Sequence, residues 1–592
     1  MSNADALARS KLTKASDGDK LDANLELKPA TTENLRCCSE SKRADPMRTI
    51  ATLTVIAAMI LIATAGALPS LAADCETLLK TKLPDTTLTI AQSAPAGKFI
   101  PPYGRPVDKL PAFCRVAGVI RPTSDSYIRF EVWLPLSGWN GKFLSAGNGG
   151  FAGSINYNSM AGDLRRGYAT AGTDTGHEAD SEDASWAFHH PEKVIDFGYR
   201  AMHATSQNAK SLIQAFYARS PQYSYFDSCS DGGREGLMEA QRFPDDFDGI
   251  LAGAPANFWT HMLAAGVDLM QAVYGRNPAG YISSTKIPAL QAAALAACDA
   301  QDGVKDGIIS DPLRCHFDPS VLLCKGDDSR DCLTATQLGS AKKLYAGGGN
   351  SQGKQVFPGF MPGAEDGPNG WIQWITGAGP GKASSPTFVE NYFRYMVFGD
   401  ATWNLLTANV DLAERTADEK TARALNATDP DLERFQARGG KLILYHGWND
   451  PAISPLNTIN YYNSVIATMG SQKAESFIRL YMIPGMQHCF PGPGPNSFGQ
   501  TGHTTAKGTA YGIYDVLEQW VEKNTAPGEV IATKYVDDDA AKGVQMTRPL
   551  CSYPQIAKYK GAGNTDDSAN FVCSPATDSP TDTDHPNSRR DR

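Results

Sequence analysis

The stretch Tyr223–Ser230, running into Asp231-Gly232-Gly233, constrains the fold of this 592-residue chain more than any other. Tyr223–Ser230 reads as a short strand ending in a glycine-rich turn, and Gly236–Arg242 reads as a helix. Ahead of it, Arg200–Tyr217 carries apolar residues at helical spacing. The local order is therefore helix, strand, sharp turn, helix. A serine on such a turn projects its hydroxyl above the edge of a sheet, and small flanking residues let the backbone bend tightly. The following helix aims N–H groups and the positive end of its dipole at developing negative charge, and the Asp231 N–H is one such donor. Ser228 stands where the G-x-S-x-G pattern has its first glycine, a small-for-small change. Taken alone, a small-residue turn around a serine is a common structural feature.

Two later segments change that weighting. Tyr445-His446-Gly447-Trp448-Asn449-Asp450-Pro451 continues a predicted strand that starts at Lys441. Pro484-Gly485-Met486-Gln487-His488-Cys489 follows another at Ile478–Met482. Asp450 would orient and stabilise an imidazolium, although an aspartate before proline is also an ordinary turn residue. His488 would take a proton from Ser230 and return it to a leaving alcohol, although a lone loop histidine is usually just exposed. Together they give the order Ser, Asp, His, each at a strand end, as in an α/β-hydrolase. The expected fold class is α/β: an α/β-hydrolase fold with a large inserted lid domain.

Other strands are expected at Ile128–Leu134 and Lys142–Ser145, where short apolar or β-branched runs are bounded by Gly, Pro and Asn. Residues 257–437 differ in texture, with cysteines, many Gly and Pro, and aromatic clusters at Trp371–Trp374 and Tyr392–Phe398. The expected organisation is a catalytic domain in two parts, 74–256 and 438–574, interrupted by a lid at 257–437. The acidic, Ser/Thr/Pro-rich tail at 575–592 reads as disordered.

The start of the chain speaks for export. Residues 1–46 are polar and aperiodic and read as a disordered leader or a mis-assigned start, with Met47 as the true one. Met47-Arg48, the apolar run Ile50–Leu68 and the small residues Ser70-Leu71-Ala72-Ala73 make 47–73 a secretory signal peptide. An uncleaved anchor is the alternative. A secreted or periplasmic protein follows, with no stable membrane partner once the peptide is cleaved. The net charge of -9 lacks the basic footprint of a nucleic-acid binder.

The cysteines agree. Beyond Cys37 and Cys38 there are Cys75, Cys114, Cys229, Cys298, Cys315, Cys324, Cys332, Cys489, Cys551 and Cys573, an even set suited to disulfides. Sequence neighbours suggest Cys298–Cys315, Cys324–Cys332 and Cys551–Cys573. A Cys229–Cys489 bond would tie the two loops holding Ser230 and His488, with Cys75 and Cys114 as competing partners. A zinc site, the other use of cysteines, lacks any C-x-x-C or H-x-x-x-H pair.

The stretch SCSDGGREGLMEAQRFPDDFDGILAGAPA (Ser228–Ala256) resembles the tannase/feruloyl esterase family, which includes the mono(2-hydroxyethyl) terephthalate hydrolase. Gly147–Gly153 (GNGGFAG), Thr173–His177 (TDTGH) and the cysteine spacings extend the resemblance over about Cys75 to Cys573. The resemblance implies a C-S-x-G-G nucleophile, an aspartate after a strand, a His-Cys pair and a disulfide joining the two cysteines of the triad loops. It implies a second oxyanion N–H from the glycine-rich segment, with Gly150 first and Gly149 second. It also implies a substrate-side histidine at His446, with Ile453 nearby.

Cys298 is followed by Asp299-Ala300-Gln301-Asp302-Gly303-Val304-Lys305-Asp306-Gly307-Ile308. Crowded carboxylates repel one another, and a hard dication would relieve that. Asp299, Asp302 and Asp306, with the carbonyls of Val304 and Ile308, offer the oxygen-only shell calcium prefers, at a spacing like the family's lid site. A solvated acidic turn is the other reading. The calcium would be structural, and no organic cofactor is implied. Trp371, Trp374, Tyr392, Phe393, Tyr395 and Phe398 are candidates to grip an aromatic acyl group, Trp374 foremost. The expected function is exported serine ester hydrolysis of aromatic (phenolic) acid esters, such as feruloyl or galloyl esters or terephthalate monoesters, through a Ser230–His488–Asp450 triad and an acyl-enzyme. The alternatives are a calcium-dependent ligand-binding protein on a hydrolase scaffold without turnover, and an exported peptidase with the same triad order.

Overall fold

The computed structural model of the chain describes residues 74–275, 278–503, 505–506 and 512–575. The expected leader at 1–46, signal peptide at 47–73 and all of the expected tail beyond Pro575 lie outside the described residues, as do Cys37 and Cys38.

A nine-stranded sheet organises the rest. Its strands are β1 (Thr86–Ala94), β2 (Phe113–Ile120), β3 (Ile128–Pro135), β4 (Lys142–Ala146), β5 (Ala169–Thr173), β6 (Tyr223–Cys229), β7 (Gly249–Gly253), β8 (Lys441–Gly447) and β9 (Ile478–Ile483). In space they run β1-β2-β3-β5-β4-β6-β7-β8-β9. The first strands pair antiparallel and those from β5 onward pair parallel. The exchange of β4 and β5 and the parallel run after it are α/β-hydrolase topology.

Strands β2 to β9 are buried on both faces, which explains their nearly continuous apolar runs, whereas β1 at the sheet's side is largely exposed. Alternation still decides which side each residue serves. In β8 and β9, Leu442, Leu444, Ile478, Leu480 and Met482 join one core, and Ile443, Tyr445, Tyr481 and Ile483 join the other. The first core is closed by α1 (Ala201–Tyr217) and α2 (Asp231–Arg242). Truncating one of these leucines to alanine costs about 2–5 kcal/mol through lost transfer energy and the cavity left behind.

Parallel register lines up the strand ends. Cys229 is paired with Gly253, Gly253 with Tyr445, and Gly447 with Ile483. The loops after β6, β8 and β9 therefore emerge side by side along one edge. Gly253 has to be glycine, because a Cβ there would overlap the Tyr445 ring.

Between β7 and β8 the chain builds a second body of structure. Its core includes α3 (Trp259–Tyr274) and α4 (Val410–Leu425), with Trp371, Tyr392 and Phe393 buried among them. Disulfides join Cys75–Cys114, Cys229–Cys489, Cys298–Cys315, Cys324–Cys332 and Cys551–Cys573. Two boundaries differ from the sequence reading. The helix expected at Gly236 starts at Asp231, and Pro575, expected in a disordered tail, ends the strand Phe571–Pro575. Among the described residues, no helix is long and apolar enough to cross a membrane.

Candidate active site

Ser230 joins β6 to α2 at φ 69°, a left-handed backbone that a non-glycine residue adopts only when its surroundings enforce it. They do so here: the Ser230 N–H donates to the Gly253 carbonyl at 2.9 Å, and the Ser230 carbonyl accepts from Arg234 and Ala256, each at 3.2 Å. The two glycines of the turn are required by close approach. A Cβ at Gly233 would overlap the Gly253 carbonyl, and one at Gly232 would overlap the Ser228 hydroxyl. This accounts for the serine at the first motif position, since Ser228 fills the room that Gly232 leaves. It also explains why α2 begins earlier than helix propensity suggests: the sharp turn demands glycines that propensity disfavours.

The Ser230 Oγ lies 2.9 Å from His488 Nε2, and His488 Nδ1 lies 2.7 Å from Asp450 Oδ2. Asp450 Oδ1 accepts the N–H groups of Ala452 and Ile453 at 2.8 and 2.9 Å. Burial alone would raise the Asp450 carboxyl. The adjacent His488 and His446 outweigh it and hold the group well below the usual carboxylate range. The acid is thus a fixed anion whose partner nitrogen must carry the proton, leaving Nε2 to face the serine. The Cys229–Cys489 disulfide, with its Cα atoms 6.1 Å apart, joins the residues immediately beside Ser230 and His488.

His446 requires a correction. It is fully buried and lies behind Asp450, with Nε2 3.1 Å from Asp450 Oδ2 and from the Ile453 carbonyl, and Nδ1 2.7 Å from Thr458 Oγ1. It does not line the cavity over Ser230, whereas Ile453 does.

That cavity, about 590 Å³, is also lined by Gly149, Gly150, Asp231, Trp259, Trp374 and Phe388. The N–H groups of Asp231 and Gly150 donate to no protein group among the described residues. Gly150 has φ 62°, and a Cβ there would overlap the Ser181 carbonyl. Beneath Asp231, the fully buried Arg234 donates from Nε to Asp231 Oδ1 at 2.7 Å and from Nη1 to the Gly198 carbonyl at 2.7 Å. Its guanidinium lies 4.8 Å from the Phe197 ring centre and 5.3 Å from that of Trp259. Burial pushes the Asp231 carboxyl up, and Arg234 opposes that shift.

Of the aromatic candidates in the insertion, Trp374 alone lines the cavity. Its ring edge meets His488 with centroids 4.9 Å apart, and its Nε1 donates to Asn369 Oδ1 at 2.7 Å. Trp371, Tyr392, Phe393 and Phe398 pack within the insertion instead, Trp371 on Tyr345 and Phe393 on Trp403, and Tyr395 meets Phe188 of the catalytic part. Sequence reading missed Trp259, Phe388 and Asn369. Asn369 Nδ2 donates to the carbonyls of His488 and Phe490 at 2.6 and 2.8 Å, latching the insertion to the histidine loop. Nothing in the local sequence around Asn369 signals that role.

The acidic loop is an oxygen-only donor set of the kind calcium takes. Burial, with Asp302 and Asp299 adding and Arg548 opposing, pushes Asp306 up to about 6. The carboxylate oxygens are engaged by the loop and by Arg548. Asp299 accepts from Asp306 and Gly307 N–H, Asp302 from Val304 N–H and the Ser310 hydroxyl, and Asp306 from Arg548 at 2.5 Å. The three carboxylates do not form a group within 4.8 Å of one another among the described residues. Three carboxylates among backbone carbonyls are the donor chemistry of a hard dication.

The sequence profile described as "Tannase and feruloyl esterase" matches residues 114–574. An uncharacterised esterase of Xanthomonas campestris pv. campestris is 45% identical over 547 residues, covering 88% of this chain and 94% of that protein. A probable feruloyl esterase B-2 of Aspergillus flavus is 33% identical, over 74% of this chain and 83% of its own length. Among solved structures, feruloyl esterase B from Aspergillus oryzae superposes with a TM-score of 0.78 at 31% identity, covering 85% of this chain and 100% of that one. Tannin acyl hydrolase from Aspergillus niger gives 0.68 at 25% identity, over 86% and 97%. With its α/β-hydrolase sheet and this extent of similarity, the chain belongs to the tannase and feruloyl esterase family of carboxylic-ester hydrolases.

Proposed function

We propose that the protein hydrolyses esters of aromatic carboxylic acids, with Ser230 as nucleophile, His488 as general base and acid, and Asp450 as the anion that orients His488. The observation that carries this reading is the unbroken chain from Ser230 Oγ to His488 Nε2 (2.9 Å) and from Nδ1 to Asp450 Oδ2 (2.7 Å), opening onto a cavity lined by aromatic rings. Ser230 Oγ attacks the ester carbonyl carbon as its proton passes to His488 Nε2. The carbonyl oxygen becomes an oxyanion facing the Asp231 and Gly150 N–H groups. Collapse breaks the bond to the alcohol oxygen, which leaves with the proton from His488. Water then gives a proton to His488 and attacks the acyl-enzyme carbonyl; as the bond to Ser230 Oγ breaks, His488 returns that proton to Oγ and the acid is released.

Trp374 and Phe388 would flank an aromatic acyl group. The relatives named feruloyl esterase and tannin acyl hydrolase favour feruloyl and galloyl esters, and terephthalate monoesters fit the same chemistry. Asp299, Asp302 and Asp306, with the carbonyls of Val304 and Ile308, would hold a calcium ion that neutralises their charge and braces the insertion. Five disulfides suit an oxidising compartment, in keeping with a secreted or periplasmic enzyme.

The test is hydrolysis of methyl ferulate, methyl gallate and a terephthalate monoester by the disulfide-bonded, calcium-loaded protein beside a Ser230→Ala variant. Turnover of at least one ester, abolished in the variant, is expected. Failure on all of them, with simple aryl acetates still cleaved, would contradict the aromatic-acid assignment and leave the triad standing.

A further inference from the structure

A second cluster of chemically capable side chains sits at the other end of α2, the helix that follows Ser230. His203 on α1, Glu239 on α2 and Asp246 in the turn before β7 bring ligand atoms within 4.8 Å of one another. Glu239 lies about 12 Å along α2 from Asp231, at 1.5 Å per residue. It is 1% exposed, and neither of its carboxylate oxygens has a hydrogen-bond partner. A buried carboxylate left in that state calls for a cation or a proton.

The surroundings are well defined. Asp246, also 1% exposed, has Oδ2 2.6 Å from His203 Nδ1, and its Oδ1 accepts from Gln207 Nε2. Lys210 Nζ stays 3.8 Å from Asp246 Oδ1 and donates to the backbone carbonyls of Asp245 and Asp246. The His203 ring stacks on Phe243 with centroids 3.8 Å apart, which fixes its plane. His203 and Asp246 also line a second cavity of about 690 Å³, an approach for an ion and its water. Burial, with Asp246 adding and Lys210 opposing, drives the Glu239 carboxyl well above its ordinary range.

The geometry points to a binding site for a divalent first-row transition ion of the zinc type, held by His203, Glu239 and Asp246. One imidazole nitrogen and two carboxylates form the mixed N/O set that such ions take, with a remaining position left for water from the cavity. The ion replaces the proton shared between His203 Nδ1 and Asp246 Oδ2 and gives Glu239 the partner it lacks. Gln207 holds Asp246 in place from behind. The bound ion ties α1, α2 and the turn into β7 together, bracing the far end of the helix that carries Ser230. This site is separate from the Asp299–Ile308 loop, which has no nitrogen donor.

Untagged full-length protein, stripped with chelator and held in excess calcium, is titrated with Zn²⁺. Bound zinc is counted by elemental analysis, and Co²⁺ is used in parallel for its absorption spectrum. One equivalent of zinc is expected, with affinity at least about a hundredfold lower in Glu239→Gln and in His203→Gln. Zinc should raise Tm in the parent protein and in neither variant. His203 is partly solvent-exposed, so His203→Gln keeps the fold, checked by retained ester hydrolysis, and decides the matter alone if Glu239→Gln does not fold. Absence of bound zinc, or equal binding by His203→Gln and the parent, overturns the proposal and leaves a carboxyl pair sharing a proton.

Discussion

The edge of the sheet and the insertion that covers it are held to Ser230 in different ways. At the sheet edge, Ser230, Asp450 and His488 sit on loops fixed by strand register, by the hydrogen bond from the Ser230 N–H to Gly253 and by the Cys229–Cys489 disulfide. The insertion reaches the same cavity through side chains, with Trp374 against His488 and Asn369 bonded to the carbonyls of His488 and Phe490. Ser230 and His488 are therefore anchored covalently and by main chain, whereas the insertion's share of the cavity wall rests on side-chain contacts, two of which reach His488 itself. The two regions should accordingly fail in different kinetic parameters.

The sharpest separation comes from Asp450. Asp450→Asn keeps the shape but removes the anion that sets the His488 tautomer, so kcat should fall by roughly 10⁴-fold with KM little changed. A large KM effect instead would break the division between the two regions. Replacing Cys229 and Cys489 together by serine should lower kcat by about 10²-fold, because small displacements of nucleophile and base cost large factors in rate. Equal kcat in the variant would show that register and packing alone position the loops.

Within the insertion, two tryptophans close in sequence give opposite expectations. Trp374→Ala should raise KM for an aromatic ester about tenfold and shift the ranking of ferulate, gallate and terephthalate esters. Trp371, buried against Tyr345, should leave KM unchanged on truncation and cost about 3–5 kcal/mol of stability. The smallest effect concerns the sheet. Burial pushes Asp227, at the end of β6, up to about 7, with the Thr501 N–H and Arg166 opposing. The folded state thus holds this proton more tightly than the unfolded chain does. That contribution is complete below about pH 4 and is lost as pH rises through about 7. Asp227→Asn should therefore gain a few degrees in Tm relative to the parent on going from pH 5 to pH 8, as read by thermal melts. An unchanged difference would mean that Asp227 is ionised in the fold.

What could be read from the sequence follows the same division. Ser230, Asp450 and His488 were legible because each sits at the end of a strand with its own turn chemistry, and strand order does the rest. Adjacency to Ser230 and His488 suggested the Cys229–Cys489 pairing but left Cys75 and Cys114 open as partners, and the family resemblance implied it. The insertion was opaque for a physical reason: its aromatic residues look alike in sequence, and only long-range packing decides that Trp374 meets the cavity while Trp371, Tyr392 and Phe393 form the core beneath it. Trp259 and Phe388 were missed on the same ground. His446 was placed on the substrate side by resemblance, and the structure turns it away, into a buried contact with Asp450 and Thr458. Arg234, buried under Asp231, had no signal beyond its place in the Ser228–Ala256 stretch.

Whether Ser230 is the nucleophile can be read most directly by covalent labelling. The parent protein and Ser230→Ala would each be treated with a fluorophosphonate, digested and mapped by mass spectrometry. One adduct per chain is expected, on the peptide carrying Ser230, with loss of esterase activity in step with labelling and no adduct in the variant. An adduct on another residue, or ester turnover retained by Ser230→Ala, would contradict Ser230 as the nucleophile.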